Sequence, residues 1–174
     1  MGAWCLGGVE DFRAYVASRL DGLRRTAYLL CGDWHRADDL VSTALMKMYR
    51  HWRRVSMMDN IDAYARRTLL RTWLNERRRG WRREVPAGAE LPDAAHGGHE
   101  RGVTDRLTVV AALAELSPKR RAVIVLRYFS DLSVEQTAEI LGCSTGTVKS
   151  QTARALEALR VRLAQDVSVG GQDR

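Results

Sequence analysis

Lysine is scarce in this chain: three stand against 25 arginines, among 174 residues with 21 acidic groups and a formal charge of +7. Cysteine is nearly as rare. Cys5, Cys31 and Cys143 are too few and too scattered for a disulfide framework, which fits a reducing, cytoplasmic setting. Cys31 and His35, spaced C-x3-H, make only half a metal site, and no second ligand pair follows, so no metal is expected. No apolar run approaches the roughly 18 residues a membrane helix needs. The start has no basic segment ahead of an apolar one, and Leu6 stands where a myristoylation signal wants Ser or Thr, so neither secretion nor a membrane anchor is expected. Alternating Val/Thr/Ile runs with hairpin dipeptides are missing, which argues against strands. A catalytic set is missing too. His35, His51, His96 and His99 have no nucleophile at recognisable spacing, and there is no phosphate-cradling glycine loop or metal-binding carboxylate cluster. Neither enzymatic activity nor a cofactor is expected.

What is present belongs to a globular helical protein, with 45% hydrophobic and 28% charged residues. The charge is unevenly placed: residues 1–83 carry +8, residues 84–105 carry −4 and residues 106–174 carry +3. Two of the three prolines and several glycines fall in the acidic stretch EVPAGAELPDAAHGGHERGVT. That composition predicts a flexible linker over 84–104 between two small all-α domains, 9–83 and 105–165.

In the first domain the spacing predicts a helix from about Val9 to Cys31, with Phe12, Val16, Leu20, Leu23, Ala27 and Leu30 on one stripe. Gly32-Asp33 breaks it. A second helix is predicted from about His35 to Arg54, with Leu40, Ala44, Leu45, Met48 and Trp52 on one face and Asp38 and Asp39 in its first turns. Its apolar content exceeds one stripe, since Leu40, Val41 and Met46 lie off the most buried line; such a helix sits deep in a core or also meets a partner. A connector follows, then a third helix from about Asp62 to Arg79 with Tyr64, Leu69, Leu70, Trp73 and Leu74 on its apolar side. The stretch Arg66–Arg83 holds eight arginines, with Trp73 and Trp81 among them. Such a surface suits phosphate neutralisation and base stacking. Trp73, in line with Leu69 and Leu70, fits a core position better, whereas Trp81 fits either role.

In the second domain a helix is predicted over Asp105–Glu115 and another from Ser117-Pro118 to Phe129, with Ser117 as N-cap and Pro118 at its first position. Ser133 and Gln136 form a capping box, Gly142 suits a left-handed turn, and Ser144 caps the last helix, which extends to about Leu163. Ala138 where two helices cross, Gly142 four residues later and Val148 packing back give helix-turn-helix spacing, with Thr137, Leu141 and Cys143 completing the inner face. The outer face of the second helix offers Thr145, Thr147, Lys149, Ser150, Gln151 and Arg154, side chains able to reach base edges and phosphates in a major groove. An ordinary helical hairpin with a polar face has the same periodicity.

Together these motifs, in this order and over about residues 9–165, resemble the extracytoplasmic-function type sigma factors of RNA polymerase. RADDLVSTALMKMYRHW (Arg36–Trp52) is similar to the family's polymerase-binding segment, DNIDAYARRTLLRTWLNERRR (Asp59–Arg79) to its −10 and promoter-melting segment, and Leu113–Leu159 to the domain that reads the −35 element. The resemblance implies that Asp39, Leu40, Ser42, Thr43 and Met46 meet the clamp helices of the largest subunit of core RNA polymerase. It implies that Ser56, Met57, Met58, Asp59 and Asn60 form the loop capturing a flipped −10 base, and that Asn75, Arg78 and Arg79 contact promoter DNA there. It also implies that Lys149, Ser150, Gln151 and Arg154 contact the −35 element, and that an anti-sigma factor is a possible further partner. Three departures stand out. The family often has Gln-Glu at Ser42-Thr43, commonly has Arg at Gln151, and usually has a proline before the third helix. The competing reading is a response-regulator-like helix-turn-helix regulator that binds duplex DNA without being a polymerase subunit. The first 83 residues lack the α/β alternation of its usual phosphoacceptor domain.

Overall fold

The computed structural model describes residues 3–83 and 109–169, with side chains placed over 8–77 and 109–164. Helix α1 spans Ala3–Cys31, α2 Trp34–Tyr49, α3 Trp52–Val55 and α4 Ile61–Arg83. After the break, α5 covers the described helical residues 109–115 and α6 spans Pro118–Ile124, running on into a π-turn at Val125–Phe129. Helix α7 spans Val134–Leu141 and α8 Thr145–Val169. No strand occurs among the described residues. The expected linker, 84–104, lies outside them.

The helix boundaries follow local chemistry. Gly32 takes φ +79, the left-handed conformation that ends α1. Asp33 then caps α2, its carboxylate accepting from the Arg36 N–H at 2.7 Å. The acidic complement at the start of α2 is therefore Asp33 rather than Asp38 and Asp39, which lie beyond the first turn. Helix α2 also ends earlier than its spacing predicts. The chain bends at Arg50-His51, and the separate turn α3 carries Trp52 into contact with Phe12 and Tyr15, with ring centroids 5.0 and 5.5 Å away. Helix α4 begins where Asn60 accepts from the Ala63 N–H at 2.8 Å, taking the place of the missing proline. Pro118 occupies the first turn of α6 as expected, but the hydroxyl of Ser117 makes no capping bond.

The core of the first unit joins Leu23, Ala27 and Leu30 of α1, Ala37, Leu40, Val41, Ala44 and Met48 of α2, and Ala65, Leu69, Leu70 and Trp73 of α4. Leu40 and Val41, read from the sequence as lying off the buried line, are 1% and 2% exposed. The buried arc of α2 is simply wider, because α1 and α4 both pack on it. The second unit buries Leu113, Leu116, Ala122, Ile124, Val125 and Leu126, and this set is continuous with the first core. One apolar cluster runs through both units.

Candidate nucleic-acid interface

Three surfaces bear on function, and each is held by a distinct local device. The first is the helix-turn-helix of α7 and α8. The capping box is formed in both directions: the Ser133 N–H donates to Gln136 Oε1 at 2.8 Å, and the Gln136 N–H donates to Ser133 Oγ at 3.1 Å. Gly142 takes φ +64, and the Cys143 N–H donates to the Ala138 carbonyl at 3.0 Å, turning the chain sharply. Ser144 Oγ accepts from the Thr147 N–H at 3.1 Å and starts α8. Val148, fully buried, packs with Ala138 and Val123 behind the turn.

This packing fixes which side of α8 faces outward. Thr145, Thr147, Lys149, Ser150 and Arg154 are exposed, and Gln151 is half-buried beside them. They do not offer equal chemistry. The Thr147 hydroxyl lies 2.9 Å from Ser144 Oγ, and the Ser150 hydroxyl donates to the Thr147 carbonyl at 3.0 Å. Both are engaged at the start of the helix, which leaves Lys149, Gln151 and Arg154 as the long polar side chains of this face. The positive field of Lys149 helps hold the Glu135 carboxyl below its usual range, although bonds to the Glu135 N–H and to Ser133 contribute more.

The second surface lies on α4 and the connector before it. Met57 projects from this connector and is 78% exposed; Ser56, Asp59 and Asn60 are exposed, and Met58 is half-buried. Asn60 already serves as the cap of α4. Ser56 donates to the Arg53 carbonyl at 3.3 Å. Asn75 is exposed on α4, while the side chains of Arg78, Arg79 and Trp81 lie outside the described residues. Trp73 is core, 2% exposed, with the Arg77 guanidinium 5.7 Å from its ring.

The third surface is the outward side of α2. Asp39, Ser42 and Met46 are exposed, Met46 at 62%, and Thr43 is half-buried. Leu40, expected on this surface, faces the opposite way, into the core. Lys47 donates to Thr72 Oγ1 at 2.9 Å and ties α2 to α4.

Sequence reasoning missed the edge of this surface. Trp34 opens α2, 48% exposed, and stacks on Tyr28 of α1 with centroids 4.1 Å apart and planes 9° off parallel. Arg24 lies 5.8 Å from the same ring and makes a two-pronged bond to Asp38 at 2.6 and 3.0 Å, which draws the Asp38 carboxyl below its usual range. The available signal was a tryptophan directly after a capping Asp, at a position the α2 stripe does not need. Among the described residues no cluster of potential metal ligands occurs, and no helix is long and apolar enough to cross a membrane.

Comparison with known proteins agrees with this layout. Residues 12–83 match the family model for sigma-70 region 2, and residues 106–159 match that for sigma-70 region 4. An RNA polymerase sigma-E factor of Streptomyces avermitilis is 40% identical over 161 residues, covering 90% of this chain and 87% of the relative. Its counterpart in Streptomyces coelicolor is 38% identical over 174 residues, covering 97% and 96%. The ECF sigma factor SigL of Mycobacterium tuberculosis is 33% identical, covering 82% and 83%. Among solved structures, the sigma factor RpoE of Bartonella quintana, crystallised with the anti-sigma factor NepR, superposes with a TM-score of 0.77 at 30% identity, covering 95% of this chain and 99% of that one. With both regions matched in order along the chain, the protein belongs to the sigma-70 family of RNA polymerase sigma factors, in its extracytoplasmic-function branch.

Proposed function

We propose that this sigma factor joins core RNA polymerase through the outer row of α2 and reads a promoter at two places. Asp39, Ser42, Thr43 and Met46 meet the clamp helices of the largest subunit. The Ser56–Asn60 connector, with Asn75, Arg78 and Arg79, engages the −10 element. Lys149, Gln151 and Arg154 read the −35 element, with Thr145 available to phosphates. The supporting observation is the division of α2: its buried arc is fully used by α1 and α4, yet Met46 remains largely exposed beside acidic and hydroxyl side chains. A DNA-binding regulator with no polymerase contact has no need of that row.

The protein contributes binding energy rather than bond chemistry. Cationic side chains neutralise phosphates, and a protruding connector holds an unstacked base, so opening of the duplex is drawn forward by contacts made only in the opened state. Such work belongs in the cytoplasm with the polymerase. The RpoE relative was solved with an anti-sigma factor, and an inhibitor of that kind is a candidate partner here, competing for the α2 row.

Run-off transcription with purified core polymerase over a promoter library tests this reading. Initiation that requires this protein, at promoters sharing two spaced elements, is the expected result. DNA binding without core-dependent initiation would favour the plain regulator.

A further inference from the structure

Between α1, the start of α4 and the π-turn lies a cleft of about 180 Å³, lined by Tyr15, Arg19, Asp62, Arg66, Phe129 and Ser130 among others. Leu23 and Thr26, also in its lining, are buried, whereas Arg19 and Phe129 are exposed, so the cleft has a closed floor and an open mouth. None of these residues has a task in the polymerase or promoter surfaces described above. At roughly 30 Å³ per water the space equals about six waters. That is room for a phosphate group with a small substituent.

The charges in the cleft do not balance. Asp62 is the one carboxylate among its described lining residues, and its Oδ1 already serves two partners. It pairs with Arg19 Nε at 3.2 Å and accepts from the Tyr15 hydroxyl at 3.1 Å. Burial first, then the Asp62 charge, pushes the Tyr15 phenol above its usual range, so it remains a neutral donor to Asp62. The Arg66 and Arg19 charges act on the same phenol in the opposite sense, which places both guanidinium groups near it. Arg66 is half-buried and, among the described residues, has no carboxylate partner. Arg121, the buried arginine of α6, shows the contrast. It is 4% exposed, yet its Nη1 donates to the Leu30 carbonyl at 2.7 Å, its Nη2 donates to the Ala114 carbonyl, and its guanidinium carbon lies 5.9 Å from the Trp73 ring. Arg66 has no such set of partners, and its planar fork is open to an anion.

The remaining hydrogen-bonding groups narrow the ligand. Ser18 donates its hydroxyl to the Tyr15 carbonyl at 2.8 Å, and Thr26 donates to the Gly22 carbonyl at 2.9 Å, so neither has a hydrogen to offer. The backbone N–H of Ser130 is tied to the Val125 carbonyl at 3.1 Å, which leaves its hydroxyl as a placed donor on the cleft wall. Uncommitted donors therefore remain on three elements. They are the Arg19 nitrogens that Asp62 does not use on α1, Arg66 on α4, and Ser130 after the π-turn. A carboxylate is planar, with two oxygens, and satisfies only two such directions. A phosphate monoester has three terminal oxygens set tetrahedrally, one for each side, and carries a charge of about −1.5 to −2 at neutral pH. Its ester oxygen is then left for the mouth, where the exposed Phe129 ring offers an apolar face to a substituent.

We propose that this cleft is a binding site for a small phosphate monoester, its terminal oxygens held by Arg19, Arg66 and Ser130 and its substituent lying against Phe129. A phosphodiester, with two free oxygens and chain on either side, does not satisfy the same donors. The site therefore selects a terminal phosphate over a nucleic-acid backbone. Because the donors come from three separate elements, a bound ligand ties them together and stabilises the folded chain by mass action. The site stands whether or not the promoter reading does.

The test titrates the full-length protein with phenyl phosphate, inorganic phosphate and dimethyl phosphate, at ionic strength matched with sodium chloride. Calorimetry should show saturable binding of phenyl phosphate with a Kd of about 1 mM or below, inorganic phosphate severalfold weaker, and the diester about tenfold weaker or more. Phenyl phosphate should also raise Tm, which sodium chloride at the same ionic strength does not. Arg66→Gln should weaken phenyl phosphate by about tenfold or more, and Ser130→Ala severalfold, each at unchanged helix content. Phe129→Ala should bring phenyl phosphate down to the level of inorganic phosphate and leave inorganic phosphate unchanged. Phe129 is exposed and Ser130 half-buried, so those two variants carry the test if Arg66→Gln does not fold. No saturable binding of phenyl phosphate up to about 10 mM overturns the site. Equal affinity for the diester also overturns it, because that is general attraction to a basic protein. Wild-type affinity in both Arg66→Gln and Ser130→Ala, or in Phe129→Ala for phenyl phosphate, overturns this placement of the ligand.

Discussion

Two residues on one helix separate the proposed partner surface from the core. Leu40 and Met46 both lie on α2, six positions apart, yet Leu40 is 1% exposed and Met46 62%. Truncating Met46 to Ala removes roughly 80 Å² of accessible apolar surface at most, worth up to about 2 kcal/mol if a partner covers it at roughly 25 cal/mol per Å². That is roughly a 30-fold rise in Kd at most, and ordering costs at an interface bring the expected figure nearer tenfold. Folding should be unaffected, because the side chain already sits in water. Leu40→Ala does the opposite. It empties a packed site between α1 and α4, which costs about 3–5 kcal/mol including the cavity. At roughly 2–4 °C per kcal/mol, Tm falls by about 6–20 °C. The assay is a fluorescence-anisotropy titration of labelled protein with core polymerase at 15 °C, where both variants remain folded, paired with thermal melts by circular dichroism. Met46→Ala should lose affinity at unchanged Tm, and Leu40→Ala should lose Tm at unchanged affinity. A Met46→Ala variant binding core within twofold of wild type would refute the placement of the partner face. So would a Leu40→Ala variant that melts normally but fails to bind.

Two further expectations concern the helix-turn-helix. Arg154→Ala, at an exposed position, should weaken binding to the preferred −35 sequence by about 1–3 kcal/mol and alter base preference there without moving Tm; an unchanged ranking of promoters in a competition assay would argue against base readout by this residue. Gly142→Ala should destabilise the protein by about 1–2 kcal/mol through backbone strain alone, since φ is +64 and no atom lies within 4 Å of an added Cβ. Gly142→Asn should cost less, and urea midpoints that fall equally for the two would point to a clash instead.

The helix-turn-helix was legible because every device in it is local. A capping box spans three residues, a left-handed glycine needs only its own backbone, and Ala138, Gly142 and Val148 keep the fixed short spacing of a helix–turn–helix. The same holds for Trp73, which its periodicity placed in the core. Legibility failed where packing from two sides set burial. Helix α2 reads as too apolar for one stripe, and only the approach of both α1 and α4 shows that Leu40 and Val41 are consumed internally while Met46 is not. Asn60 was expected in a base-capturing loop; its bond to Ala63 gives it a capping duty that a sequence without the usual proline only hints at. Trp34 carried no periodic signal, because its partner Tyr28 comes from another helix.

The scarcity of lysine takes on a sharper meaning in this light. Composition, caps and helical spacing by themselves determined an all-α chain with a tightly turned helical hairpin and a basic first half, since those features depend on neighbours within a turn or two. Tertiary structure alone decided which arginines are spent inside. Arg121 reads in sequence as one more cation in a basic run, Lys-Arg-Arg, yet it is buried against a carbonyl 91 residues away. A planar guanidinium can bond two carbonyls while lying near a tryptophan, which a lysine ammonium cannot do with the same geometry. No local rule places a charge in a core; only long-range contacts can compensate its desolvation, and those exist only once the two units have met.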